Sequence, residues 1–110
     1  MKKEIKDKWV DALRSGDYVQ GRGQLRNPKN EFCCLGVLCN LHAIENPDFA
    51  ATQINETTYG GQGLVLPKIV EDWAGMPYDH DHKEVVEMND GTNRHHCTFE
   101  EIADYIEENY

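Results

Sequence analysis

Polar residues dominate most of this chain, and the exception organises the rest. Residues 32–44, FCCLGVLCNLHAI, form a near-continuous apolar run interrupted by Asn40 and His42. A run of 13 residues is shorter than the roughly 20 needed to cross a bilayer, so it predicts a buried spine. Periodicity alone does not separate strand from buried helix in so short a run. Its length and the helix formers Leu35, Leu38, Cys39, Leu41 and Ala43 predict a helix over 34–44, with 32–34 as the end of a strand feeding it. Gly36 inside that helix costs about 1 kcal/mol against alanine, which predicts that another backbone crosses there.

Helical spacing recurs three more times. Ile5, Trp9, Ala12 and Leu13 share one face of a helix over 3–15, stopped by Gly16. Ile69, Val70, Trp73 and Ala74 share a face of a helix over 67–75, opened by Pro67 and ended by Gly75. Phe99, Ile102, Ala103 and Ile106 line a helix over 98–109, where Thr98 and Glu101 have capping-box spacing and Cys97 and Ile102 that of a hydrophobic staple. Trp9, Leu35, Leu38, Trp73, Phe99, Ile102 and Ile106 are the expected core.

Between the helices the pattern is glycine-rich and extended. Residues 18–34, turning at Arg26-Asn27-Pro28-Lys29-Asn30, read as an irregular hairpin. Two β-prone pieces at 57–59 and 64–66 flank Gly60 and Gly61 and would complete a sheet with it. Residues 84–88 read equally as a helical turn or a short strand, followed by a turn at 89–91. The expected fold class is therefore α+β: one domain over 1–110, with about four helices and a small antiparallel sheet.

Composition adds a bias. The chain is 39% hydrophobic and 28% charged, in the globular range, and its formal net charge is −9. Residues 1–31 hold eight Lys/Arg against five Asp/Glu, whereas 79–110 hold two against ten. Such an acidic chain is a poor fit to direct nucleic-acid binding, which needs cations against phosphate. Its acidic end suits a basic partner. The start of the chain has lysines with no apolar segment behind them, so the expected setting is a reducing cytoplasm without membrane insertion. There the four cysteines are read as buried thiols rather than a disulfide framework.

Four stretches, KWVDALRSGDYVQGRGQLR, FCCLGVLCNL, LPKIVEDWAG and NDGTNRHHCTFEEIADYIE, together resemble a group of small proteins encoded by tailed bacteriophages and prophages, the double-cysteine run being the most specific. The resemblance implies an accessory protein made in the host cytoplasm. It carries no catalytic residues over.

Glu100, Glu101, Asp104, Glu107 and Glu108 form the outward face of the last helix, with Asp79, Asp81, Glu84, Glu87 and Asp90 just before it. Acids in the last helical turn oppose the helix dipole, which points to a partner for this face; with the resemblance to phage-encoded proteins, this implies a host protein as that partner and a non-enzymatic protein that interferes with a host process or defence. The alternative is a small-ligand site for a nucleotide or phosphorylated metabolite at Gly21-Arg22-Gly23, with Arg14, Arg22, Arg26 and Lys29. A second alternative is a structural metal held by Cys39, His42, His80, His82, His95 and His96, though no pair of clips has finger spacing. A cysteine nucleophile is disfavoured, because His42 lies two helical turns beyond Cys33 and Cys34. No catalytic residue and no cofactor is expected.

Overall fold

A computed structural model describes residues 1–53, 57–76, 82–91 and 96–110. Six helices are found among them: α1 (Lys3–Arg14), α2 (Cys34–Glu45), α3 (Pro47–Ala50), α4 (Lys68–Ala74), α5 (Lys83–Asp90) and α6 (Phe99–Asn109). α1 presents Ile5, Trp9, Val10 and Leu13 to the core and packs most extensively on α6, which returns Phe99, Ile102, Ala103 and Ile106. Trp9 is fully buried, its indole N–H donates to the Cys34 carbonyl at 2.9 Å, and Tyr110 meets its ring edge-on.

α2 runs through the centre and touches α1, α3, α4 and α5. Cys34, Leu35, Val37 and Leu38 have no exposed surface, and each large aliphatic chain buried this way stabilises the fold by about 1.5–3 kcal/mol. Gly36 marks the expected crossing. A Cβ placed there would lie 1.8 Å from the Leu25 carbonyl oxygen, so only glycine lets the chain at Leu25 pass so close to the helix.

The helices foreseen at 3–15, 34–44, 67–75 and 98–109 are present with small shifts at their ends, and Pro67 stands one place before α4. Trp73, foreseen as core, is only partly buried. The α+β expectation is overturned. Among the described residues there is no strand, only isolated bridges between Gln20 and Phe32, Arg26 and Phe32, and Tyr59 and Gln62. The physical reason is that the backbone of 19–33 bonds to several partners instead of one. Gly21 N–H donates to the Phe32 carbonyl, Leu25 N–H to Gly63, Cys33 N–H to Leu25, and Gly23 N–H to the Asp90 carboxylate. No ladder extends from such a pattern. The chain instead wraps Phe32 and lies over α2. The undecided stretch at 84–88 is helical, and Asn89 and Asp90, read as a turn, form its last residues before a left-handed Gly91.

The core is one cluster of apolar side chains. No helix among the described residues is long and apolar enough to cross a membrane.

Candidate functional site

A cavity of about 390 Å³ opens between α2 and the segments on either side of it. Gly36, Cys39, Asn40 and Ala43 of α2 form one wall. Leu25, Arg26 and Phe32 form the second, and Ala50, Gln53, Thr58 and Tyr59 lie opposite. The local chain explains the placement. Asn30 adopts a left-handed φ of 63°, closing the turn after Pro28, and its side-chain oxygen accepts from Arg26 Nε at 2.7 Å. The Arg26 guanidinium then lies 5.4 Å from the centre of the Phe32 ring, within the range of a cation–π contact. Asn40 donates from Nδ2 to the Tyr18 hydroxyl at 2.6 Å.

Tyr59 reaches the cavity from a turn whose two glycines, Gly60 and Gly61, take positive φ. Its hydroxyl is 2.6 Å from His42 Nδ1. Phe49, Tyr59 and Trp73 all meet the His42 ring near 5 Å, each edge-on. Burial pushes the His42 pKa below the ordinary histidine value, against a weaker opposing pull from Glu45. Burial also pushes the Tyr59 hydroxyl up to about 12, with Cys39 adding to the effect. Both groups are therefore neutral at neutral pH. Their contact is an uncharged hydrogen bond that orients Tyr59.

The cations named from sequence are dispersed. Arg26 alone lines the cavity. Arg22 and Lys29 are exposed. Arg14 belongs to the other side of the molecule, where Glu100, Asp104 and Glu107 surround it; its nitrogens are 3.5 Å from Glu100 and 2.5 Å from Asp104. The Gly21-Arg22-Gly23 turn is not a phosphate cradle. Asp90 Oδ1 already accepts from Gly23 N–H at 3.1 Å, and Asn89 donates to the Gly21 carbonyl. A carboxylate in that place repels an anion.

The acidic face is exposed as expected at Glu100, Glu101, Asp104, Glu107 and Glu108, but much of it has internal work. Three of these acids hold Arg14. Glu101 closes the capping box with Thr98. Lys6 donates to the carbonyls of Glu107 and Tyr110 at 2.9 and 2.6 Å. Glu107 and the last carbonyls are thus answered by α1, which accounts for part of the mismatch with the dipole without a partner, while Glu108 makes no ion pair among the described residues. Of the acids before α6, Glu87 is 3.7 Å from Lys83 and Asp90 holds the 20–23 loop; Asp79 and Asp81 lie outside the described residues.

Among the described residues the metal-ligand set is not assembled. His42 is bonded to Tyr59, His82 is buried with Nε2 3.2 Å from Glu71, and His96 is exposed. His80 and His95 lie outside the described residues. Among those described, no group of three or more His, Cys, Asp or Glu is placed to share an ion. Three of the thiols are poor nucleophiles. Burial raises Cys33 to about 11 and holds Cys34 and Cys39 well above the ordinary thiol value, so their reactive thiolate is suppressed.

Sequence reasoning missed Asn40, Tyr59, Gln53 and Thr58 as cavity residues. The paired glycines after Tyr59 signalled a turn, but not where it would fold back. Fold and site together define a small helical domain with a mixed apolar and polar cavity beside one arginine. The chain belongs to the family described as Domain of unknown function (DUF8296), whose model matches residues 1–110. Comparison with curated proteins and with solved structures finds no match.

Proposed function

We propose that this protein is a non-enzymatic binding domain that holds a small ligand in the cavity beside α2. The observation that carries this reading is Arg26 itself: a cation with no carboxylate partner among the described residues, set at the edge of a partly apolar cavity of about 390 Å³. Small-molecule sites span roughly 300–1,000 Å³ and combine apolar walls with a few placed polar groups. The buried thiols of Cys33, Cys34 and Cys39 support binding over nucleophilic catalysis. Filling the cavity tests it. Ala43→Trp should abolish ligand-induced shifts in the amide spectrum while the melting transition persists; undiminished binding in that variant would sink the reading.

A second reading rests on charge. Glu108 and its neighbours keep the outer side of α6 acidic and exposed, and the resemblance to phage-encoded proteins points to a basic host protein in the host cytoplasm. That reading expects association to weaken steeply with salt and to be insensitive to Ala43→Trp.

A further inference from the structure

Resting on the cavity reading, we propose that the ligand carries an anionic headgroup, a carboxylate or a phosphate, on a flat apolar body, and that Arg26 is the residue that selects it. The guanidinium is fixed before any ligand arrives. Asn30 takes Nε, and Phe32, itself braced edge-on by Tyr18 at 5.1 Å, supports one face. What remains is the pair of terminal nitrogens, which make no hydrogen bond to any described residue. A guanidinium held in one plane with two free ends matches the fork geometry by which arginine grips carboxylate or phosphate.

The rest of the cavity fits the other end of such a molecule. Leu25, Phe32, Ala43 and Ala50 offer apolar surface for a ring. Asn40 has its amide nitrogen on Tyr18, and its carbonyl oxygen has no donor among the described residues. That oxygen is placed to accept from an N–H or O–H on the ligand body. Stacking of a planar group beside a guanidinium that already rests on Phe32 adds to the preference for a flat ring.

Three probes separate the possibilities: benzoate, phenyl phosphate and neutral benzyl alcohol, each titrated while the amide signals of Gly36, Asn40 and Ala43 are followed. In the parent protein at least one anion should bind about tenfold more tightly than benzyl alcohol, a difference of roughly 1.4 kcal/mol. Which anion wins assigns the headgroup. Arg26→Gln should remove that advantage and leave benzyl alcohol unchanged. Arg26→Lys keeps the charge without the fork and should recover only part of it, and it serves in place of Arg26→Gln if that variant fails to fold. Equal affinity for all three probes overturns the anion proposal while the cavity reading stands. So does anion binding that survives loss of Arg26, or that shifts only amides near Arg22 and Lys29. If no probe moves the three amides, the cavity reading falls and the proposal with it.

Discussion

Asn89 and His42 are both polar side chains buried on helices, at 0% and 3% exposure, yet their surroundings are held on different terms. Asn89 uses both ends of its amide. Its oxygen accepts from Gln20 Nε2 at 2.9 Å and Cys34 N–H at 3.3 Å, and its nitrogen donates to the Gly21 carbonyl and to Asp90 at 2.9 Å. Gln20 also donates to the Cys97 carbonyl, and Cys97 N–H donates to Met88. One amide therefore joins α5, the 20–23 loop, the start of α2 and the approach to α6. His42 has a single side-chain partner, Tyr59, and is otherwise held by aromatic edges. The contrast teaches two ways of holding a buried polar group beside a cavity. Directional bonds hold Asn89, which lines a second cavity of about 350 Å³, whereas His42 relies on ring packing, and its partner Tyr59 lines the first.

The sharpest way to break the comparison is Asn89→Ala. It strands the Cys34 N–H and the Gly21 carbonyl, and buried unsatisfied groups cost about 1–3 kcal/mol each. The variant should lose about 3 kcal/mol in urea unfolding. A loss under about 1 kcal/mol would show that the loop is fastened elsewhere.

Acid should find the other region first. The folded protein resists protonation of His42, so the unfolded chain takes up that proton first. This contribution to stability is full above the ordinary histidine value of about 6.5 and declines as pH falls below it. Melting temperatures taken between pH 7.5 and 5 should fall less steeply for His42→Gln than for the parent; parallel slopes would detach the pH response from His42.

Smaller effects test how far the locked region extends. Thr98 caps α6 directly after Cys97, and Thr98→Ala should cost about 1 kcal/mol, read from the denaturation midpoint. The smallest difference lies on the acidic face. Asp104 touches Arg14, and Glu108 makes no ion pair among the described residues. Asp104→Lys should lower the midpoint more than Glu108→Lys, and high salt should close the gap. Equal effects at low salt would mean that the Arg14 cluster contributes nothing particular.

How much of this was legible beforehand depended on the range of the forces involved. α1, α4 and α6 announce themselves through Trp9, Val70 and Ile102 at helical spacing and through local stops and caps at Gly16, Gly75 and Thr98. The crossing at Gly36 was readable because a helical glycine is costly. The sequence suggests a sheet because Gly21, Gly23 and the Asn27–Asn30 turn look like a hairpin, while Gly21, Gly23 and Leu25 bond to Asn89, Asp90 and Gly63, which no local pattern reveals. α5 was obscured for the same reason: one of its three buried positions is the polar Asn89. Of the site, Arg26 was named, but grouped with Arg14 by proximity in sequence. The fold sends Arg14 to α6 and brings Asn40 and Tyr59 to Arg26. The acids at the end of α6 suggest an external cation, yet Glu107 is met by Arg14 and the last carbonyls by Lys6, both from α1.

The placement of the sulfurs gives the molecule its own stopwatch. Cys97 is half-buried, whereas Cys33, Cys34 and Cys39 sit along α2 at 8%, 0% and 3% exposure. A thiol reagent added to the native protein should mark Cys97 first. Cys34, with no exposed surface, becomes reachable only when α2 momentarily parts from its neighbours, so the interval before it is marked counts how often that event recurs. Cys39 lines the cavity and Cys33 caps the helix start. Their separate tempos would therefore distinguish entry through the cavity, at mid-helix, from loosening at the start of α2.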